Sequence, residues 1–239
     1  MALSEDVEAN RESMMARSIA SDHEEKRLTI LARSAELFAA HGFDRTSMNK
    51  IADAIGVSKA LLYHYYRDKE ELLFDVIRFH LNQLLDVVEV ADRPGLAAEA
   101  RLNALIGALL EAYRDADAQH NVQISSMRFL SPLRQQELKG MERELVALFS
   151  DAVGGVAPHL QGSPMLKAVT MSLFGMVNWH YLWFRSTGSI TRQDYADLVT
   201  RLVADGSQRV TAEPAPSAKR TKVARTSATA QRRKASSEV

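Results

Sequence analysis

Thr46-Ser47, Ser58-Lys59-Ala60, Tyr63-His64 and Lys69 are the residues of this chain whose types and spacing suit contact with a phosphate backbone and with base edges. A hydroxyl or backbone amide at a helix start can hold a phosphate oxygen, as Thr46, Ser47 and Ser58 could. Lys59 and His64 can donate to guanine or to phosphate, and Tyr63 can offer its hydroxyl to phosphate while its ring packs. Each has a plainer alternative. Thr46 and Ser47 would also serve as simple caps, Lys59 and His64 as solvated surface, and Lys69 as a salt-bridge partner of Asp68 or Glu70, which is worth little at a surface.

The elements that must position these groups follow from periodicity. Met48, Ile51, Ala52 and Ile55 recur at the spacing of one helical face, so residues 47–55 read as a helix that leaves Asn49, Lys50 and Asp53 in water. Gly56 can take the left-handed conformation of a sharp helix exit, and Ser58 can cap the next helix, residues 59–66. Leu62 and Tyr66 would then face inward while Lys59, Ala60, Tyr63 and His64 face out. Helix, tight turn and second helix at a fixed angle form the geometry that enters a DNA major groove, which admits one helix.

A helix over 24–41, with Leu31, Ala35 and Phe38 inward and Gly42 at its end, precedes this pair, and Phe43 would close the corner. Asp68 with Glu71 resembles a capping box opening a fourth helix that reaches about Val90. Asp92-Arg93-Pro94-Gly95 is a turn, and Leu102, Leu105, Ile106, Leu109 and Tyr113 mark a fifth helix. Further helices are expected at 121–130, at 132–153 and 164–185 behind Ser131-Pro132 and Ser163-Pro164, and at 191–206 behind a Thr191/Asp194 capping box. Gly154-Gly155 and Gly188 would close the two before the last. Tyr195, Leu198, Leu202 and Val203 would share a face of the final helix. The helix around Phe174 to Phe184 is apolar nearly all round, so it should be buried on more than one side, with Asn178 and His180 needing partners and Trp179 and Trp183 serving interface or core. No strand alternation is present; the expected fold is all-α, a three-helix head followed by a helical body.

The 239 residues carry 30 Lys plus Arg against 30 Asp plus Glu, and no cysteine. Disulfides, thiol catalysis and cysteine-bound zinc are therefore excluded. Charge is segregated: −3 over 1–23, +1 over 24–70, −4 over 71–213 and +6 over 214–239. These segments suggest a disordered arm at 1–23, a head carrying the helix pair at 24–70, an acidic helical body at 71–211 and a disordered basic tail at 212–239. An acidic body is repelled by phosphate, so DNA would be approached head first. The tail cations Lys219, Arg220, Lys222, Arg225, Arg232, Arg233 and Lys234 could graze DNA or be merely solvated. The acidic start is the reverse of a secretory or mitochondrial leader, and the longest apolar stretch, 169–184, falls short of the roughly 20 residues of a membrane span, so a cytoplasmic protein is expected.

Enzyme readings find no support. The seven histidines, at positions 23, 41, 64, 80, 120, 159 and 180, never share metal-ligand spacing on a helix, and neither a phosphate-cradling glycine loop nor a nucleophile elbow is present. No metal or cofactor is expected. The alternative to a regulator, an architectural DNA-binding protein using its basic tail, fits the long apolar body poorly.

The segment 30–72 resembles the N-terminal domain of TetR-family transcriptional regulators. The resemblance is carried by Ala35, Leu37-Phe38, Gly42-Phe43, Thr46-Ser47, Ile51-Ala52, Gly56-Val57-Ser58-Lys59, Leu62-Tyr63-His64-Tyr65-Tyr66 and Lys69-Glu70-Glu71-Leu72. Ala60 stands where many members carry glycine, and Tyr66 where phenylalanine is common; alanine is still small enough for close groove approach. The resemblance implies a DNA-binding domain at 24–70, a ligand-binding and dimerisation domain at 71–211, a homodimer paired through the helices at 164–185 and 191–206, a palindromic operator, and a repressor released by a small-molecule effector. The Asn178-Trp179 segment together with 58–66 is similar to members that answer to acyl-coenzyme A thioesters. On that likeness Arg128, Asn178, Trp179 and His180 would meet the effector, with Arg134 or Arg185 as further partners for coenzyme phosphates.

Overall fold

Between residues 2 and 41 there is neither proline nor glycine, and Ala, Glu, Met and Arg, all good helix formers, recur throughout. Helix α1 accordingly runs unbroken from Ala2 to His41, so the start expected as a disordered arm is the first half of the helix. The computed structural model describes the backbone of residues 2–213 and the side chains of residues 21–213. The tail expected as disordered lies outside them from Pro214 onward. Among the described residues the chain is all helical: α1, α2 (Met48–Ile55), α3 (Lys59–Tyr65), α4 (Lys69–Ala91), α5 (Ala98–Ala112), α6 (Asp117–Ser126), α7 (Pro132–Val156), α8 (Pro164–Asn178) and α9 (Arg192–Ser207), with short 3-10 turns after α6, α7 and α8. No helix among them is long and apolar enough to cross a membrane.

Several boundaries differ from the periodic reading, each for a backbone reason. Helix α6 starts one turn early and stops at Ser126, because Leu130 and Ser131 are extended ahead of Pro132, as the residue before a proline prefers. Helix α7 continues through Gly154-Gly155 to Val156 and ends only before Pro158. Gly154 lies within the helix instead of stopping it, with the Gln161 amide against it: a Cβ there would lie 2.5 Å from the Gln161 side-chain nitrogen and would push that flexible side chain aside. Helix α8 ends at Asn178, seven residues before the expected Arg185. The Asn178 carbonyl accepts from His120 Nε2 at 3.1 Å, and the chain tightens into the 3-10 turn His180–Leu182. On α9 the inward stripe is Tyr195, Ala196, Val199, Thr200 and Val203, while Leu198 and Leu202, expected beside Tyr195 and Val203, are exposed. The capping box of Thr191 and Asp194 is present as expected.

One apolar cluster runs from Ile30 on α1 to Val203 on α9, so the head shares its core with the body. Helix α1 packs on α6 and α4 as well as on α2, and α4 packs on α5, α6 and α7. A polar clamp lies beside this core. Asp75 on α4 is only 8% exposed. It accepts from the Tyr66 hydroxyl, from Arg27 Nη1 on α1 and from Arg78 Nη2, each at 2.7 Å. Burial pushes its carboxyl up, but the hydrogen bonds from Tyr66 and Arg78 and the charges of Arg27 and Arg78 outweigh that and hold it below the usual carboxylate range. The clamp ties the end of α3 to α1 and α4.

A lowered carboxyl contributes stability that is present above its unfolded value and lost as pH falls through the folded one. Asp75→Asn should therefore lose about 2 kcal/mol at pH 7 in urea denaturation, the penalty for breaking a largely buried pair that keeps some solvent access. The gap between variant and wild type should shrink below about pH 4. An equal deficit at pH 7 and pH 3 would show that the charge is not what stabilises the clamp.

Candidate functional site

The helix pair around Gly56 is built as its residues dictate. The Ser47 hydroxyl accepts from Lys50 N at 3.3 Å and the Ser58 hydroxyl from Leu61 N at 3.1 Å, so both are caps. Gly56 sits at φ +76° and returns its N–H to the carbonyls of Ala52 and Asp53. On α3 only Leu62 is buried. Ser58, Lys59, Ala60, Tyr63 and His64 are all exposed, and Lys59 Nζ lies 5.7 Å from the centre of the Tyr63 ring. Four of the predicted DNA contacts, Ser58, Lys59, Ala60 and Tyr63, thus share the open side of one helix. His64 turns toward α1, edge-on to His23 at 6.4 Å, while Tyr65 stacks on His23 at 4.5 Å.

Two predicted contacts are engaged elsewhere. Thr46 is 1% exposed and its hydroxyl donates to the Gly42 carbonyl at 2.9 Å, closing the end of α1, so it is not offered to a phosphate. Lys69 is bound neither to Asp68 nor to Glu70: its ammonium donates to the Phe43 carbonyl at 2.7 Å and lies 4.1 Å from the Phe43 ring centre. Burial lowers its pKa. Phe43 in turn stacks on Phe129 at 5.1 Å, and Glu70 accepts the Ser131 N–H at 2.9 Å and approaches Arg134 at 3.2 Å. Lys69 and Glu70 therefore join the first turn of α4 to both the head and the start of α7.

The four predicted effector residues do not converge. Arg128 is exposed over Phe129, in a cleft of about 270 Å³ between the turn after α1 and the end of α6. Trp179 is 53% exposed on the outer surface. Arg134 is held by Glu70 and by the Phe74 ring, and Arg185 donates to the Phe184 carbonyl. Asn178 alone lines a partly enclosed cavity of about 210 Å³ between α4, α6, α7 and α8. Its apolar walls are Leu84, Leu145, Val146, Met171 and Phe174; its polar lining is Tyr113, Gln123, Glu142 and Asn178. The Tyr113 hydroxyl donates to Asn178 Oδ1 at 2.8 Å, and Gln123 Nε2 to Glu142 Oε1 at 2.9 Å.

Behind Tyr113 stand three buried histidines. The His120 ring lies 4.4 Å from that of Tyr113, and the rings of His80 and His180 each lie 6.3 Å from it. His80 Nε2, His120 Nδ1 and His180 Nδ1 are buried without a partner. Burial, aided by His120, pushes the His80 imidazole down to about 3. Burial also lowers His120, against its bond to the Asn178 carbonyl, and lowers His180, helped by the Arg192 charge. None of Tyr113, Gln123, Glu142, His80 and His120 was expected at a binding site from the sequence. The signal for His80 was available, since it sits on the core stripe of Val76, Ile77, Leu81 and Leu84.

An imidazole held neutral at about 3 in the fold and titrating near 6.5 when unfolded binds more protons in the unfolded state below pH 6.5. Stability is full above that value and falls as pH drops toward 3, by about 1 kcal/mol per pH unit from His80 alone. Denaturation series from pH 7.5 to pH 5 should show this slope, and His80→Leu should reduce it by about that amount. A variant with the wild-type slope would contradict a buried neutral imidazole.

Comparison with known proteins places this geometry. The family model for bacterial regulatory proteins of the tetR family matches residues 30–76, and that for the tetracyclin repressor-like C-terminal domain matches residues 95–207. A TetR-family transcriptional regulator from Bordetella parapertussis 12822, known by its crystal structure, is 31% identical, with a TM-score of 0.72 over 78% of this chain and 98% of its own. The HTH-type transcriptional repressor KstR2 of Rhodococcus jostii (strain RHA1) is 28% identical over 76% of this chain and 90% of its own. AibR, crystallised in complex with isovaleryl coenzyme A and operator DNA, is 24% identical with a TM-score of 0.64 over 74% of this chain and 96% of its own. With its head and its body both matched, the chain belongs to the tetR family of bacterial regulatory proteins.

Proposed function

We propose that this chain is a transcriptional repressor that reads a palindromic operator as a homodimer and is released when a small molecule enters the cavity between α4, α6, α7 and α8. The carrying observation is the outer side of α3, where Ser58, Lys59, Ala60 and Tyr63 are exposed together while Leu62 alone anchors the helix. A helix presented in this way can seat its N-terminal residues against base edges, and two copies about 34 Å apart meet successive turns of DNA. Ser47 and Ser58, at helix starts, suit phosphate oxygens. AibR, bound to operator DNA and to an acyl-coenzyme A, supports the pairing of the two sites in one architecture.

The dimer reading is supported by Met171, Trp179, Leu182, Trp183, Leu198 and Leu202, large apolar side chains left exposed on α8, α9 and the turn after α8. Apolar surface gathered in this way marks an interaction site. Helix α4 connects cavity to head: Leu84 lines the cavity, while Lys69 and Glu70 at its other end hold Phe43 and Ser131. A ligand that favours a different tilt of α4 changes the spacing of the two recognition helices, and differential affinity for the two tilts is enough for release.

Lys59→Ala and Tyr63→Ala should each weaken binding to the promoter beside the gene by about 5- to 150-fold, as loss of a base or phosphate contact does, in fluorescence anisotropy with unchanged circular dichroism. Unchanged retention by both variants would remove α3 as the reader. Binding without sequence preference would instead mark an architectural protein. Leu198→Asp with Leu202→Asp should give monomers by light scattering and lose operator binding; a dimer that survives both changes would place the interface elsewhere.

A further inference from the structure

The cavity of about 210 Å³ is small, and its polar lining is unequal. A cavity of about 150 Å³ holds benzene. This one is therefore sized for one substituted ring or a chain of similar bulk. No lysine or arginine is among its lining residues, so nothing there would receive the phosphates of a coenzyme.

What the polar residues offer is mostly acceptors. A carboxylate can only accept, so the bond from Gln123 Nε2 to Glu142 Oε1 fixes the amide with its oxygen pointing away. That oxygen, Gln123 Oε1, is buried with no partner and has almost no surface open to the cavity, so a donor reaches it only as the amide turns away from Glu142. The Tyr113 hydrogen is engaged by Asn178 Oδ1, which leaves lone pairs on the phenol oxygen. Glu142 keeps its second carboxylate oxygen. Only the Asn178 amide nitrogen can donate. A buried acceptor without a donor is unfavourable, and a ligand that supplies the donor relieves it.

We propose that the effector of this regulator is a molecule of about one ring's bulk that donates hydrogen bonds, from a hydroxyl, amide or ammonium group, to Gln123 Oε1 and Glu142. This rests on the reading of the cavity as the effector site. It departs from the acyl-coenzyme A class, whose bulk exceeds a cavity of about 210 Å³ and whose phosphates find no lysine or arginine in its lining. The donor competes with Gln123 Nε2 for Glu142 and so loosens the bond between α6 and α7. Those two helices converge on residues 127–131, where the Ser131 N–H is held by Glu70 at the head end of α4. A ligand that parts Gln123 from Glu142 thus acts on both arms that seat the first turn of α4.

The full chain should be tested by thermal shift with catechol and benzylamine as donors, with o-xylene as a ring of nearly the same shape that has no donor, and with isovaleryl coenzyme A. Catechol and benzylamine are expected to raise the melting temperature by several degrees at concentrations well above their dissociation constants, and the other two to leave it unchanged. Gln123→Leu should abolish both shifts. Glu142→Gln, which keeps a side chain of the same shape, should reduce the benzylamine shift more than that of catechol. An equal shift with o-xylene, a shift with isovaleryl coenzyme A alone, or no shift with either donor overturns the proposal. Promoter binding is read in parallel. A catechol shift that leaves DNA bound upholds the cavity chemistry and overturns its regulatory role, whereas release by isovaleryl coenzyme A without a donor shift overturns the cavity chemistry and upholds the regulator.

Discussion

A helix of seven residues cannot hold itself together in water, because nucleation costs more than so few hydrogen bonds return. Helix α3 therefore exists only as far as its surroundings impose it. Leu62 is its single buried residue, and the rest of its support comes from its ends: Ser58 caps the start, and at the close Tyr66 is buried and gives its hydroxyl to Asp75. Asp75 is itself held by Arg27 and Arg78. The consequence is that the angle of the recognition helix is set by residues on α1 and α4, so anything that moves α4 moves the reading surface. A head with an independent core would be insulated from the body; here the core is continuous and the head is not.

That dependence explains why so many polar contacts gather at the first turn of α4. Lys69 reaches back to Phe43, Phe43 stacks on Phe129, and Glu70 reaches across to Ser131 and Arg134. Each such contact is modest by itself. Together they place the origin of α4 between the head and the start of α7, while the far half of the same helix lines the cavity at Leu84. Interactions of moderate strength suit the two arrangements that the proposed release requires, since a ligand can shift an equilibrium only by its own differential affinity.

The sequence disclosed most where local chemistry and tertiary demand agree. Ser47, Gly56, Ser58, Asp68 and Thr191 act as caps and stops in the structure as their types indicate, and the stripe of Leu102, Leu105, Ile106 and Leu109 is fully buried. It disclosed least where a distant partner overrides local preference. Asn178 ends α8 because His120, 58 residues earlier in the chain, takes its carbonyl. Lys69 bypasses two adjacent carboxylates for a backbone oxygen 26 residues away. The cavity was hidden for the same reason: Tyr113, Gln123, Glu142 and Asn178 lie on four separate parts of the chain, and no spacing rule joins them. Arg128 and Trp179 had the right chemistry for a ligand, but they lie in the turns that follow α6 and α8 and are exposed.

Electrostatics narrows how such a head can bind DNA. Its net charge is +1 over 24–70. Much of its basic character is internally neutralised, by Lys26 with Asp22, Arg27 with Glu24 and Asp75, Arg33 with Glu36, and Arg67 with Asp68 and Glu71. Among the described residues of the head, Arg45, Lys50 and Lys59 have no carboxylate within salt-bridge distance, and Lys69 is engaged by Phe43. Affinity from counterion release scales with the number of phosphates neutralised. With few cations to offer, each head draws little of its binding from charge and must rely on hydroxyls, backbone amides at helix starts and the fit of α3 in the groove. Those contacts are short-ranged and tolerate little displacement, whereas a cloud of lysines would hold DNA through a change of angle. A weakly basic head would thus make DNA binding sensitive to the tilt of α4, which is what the proposed release by a ligand requires.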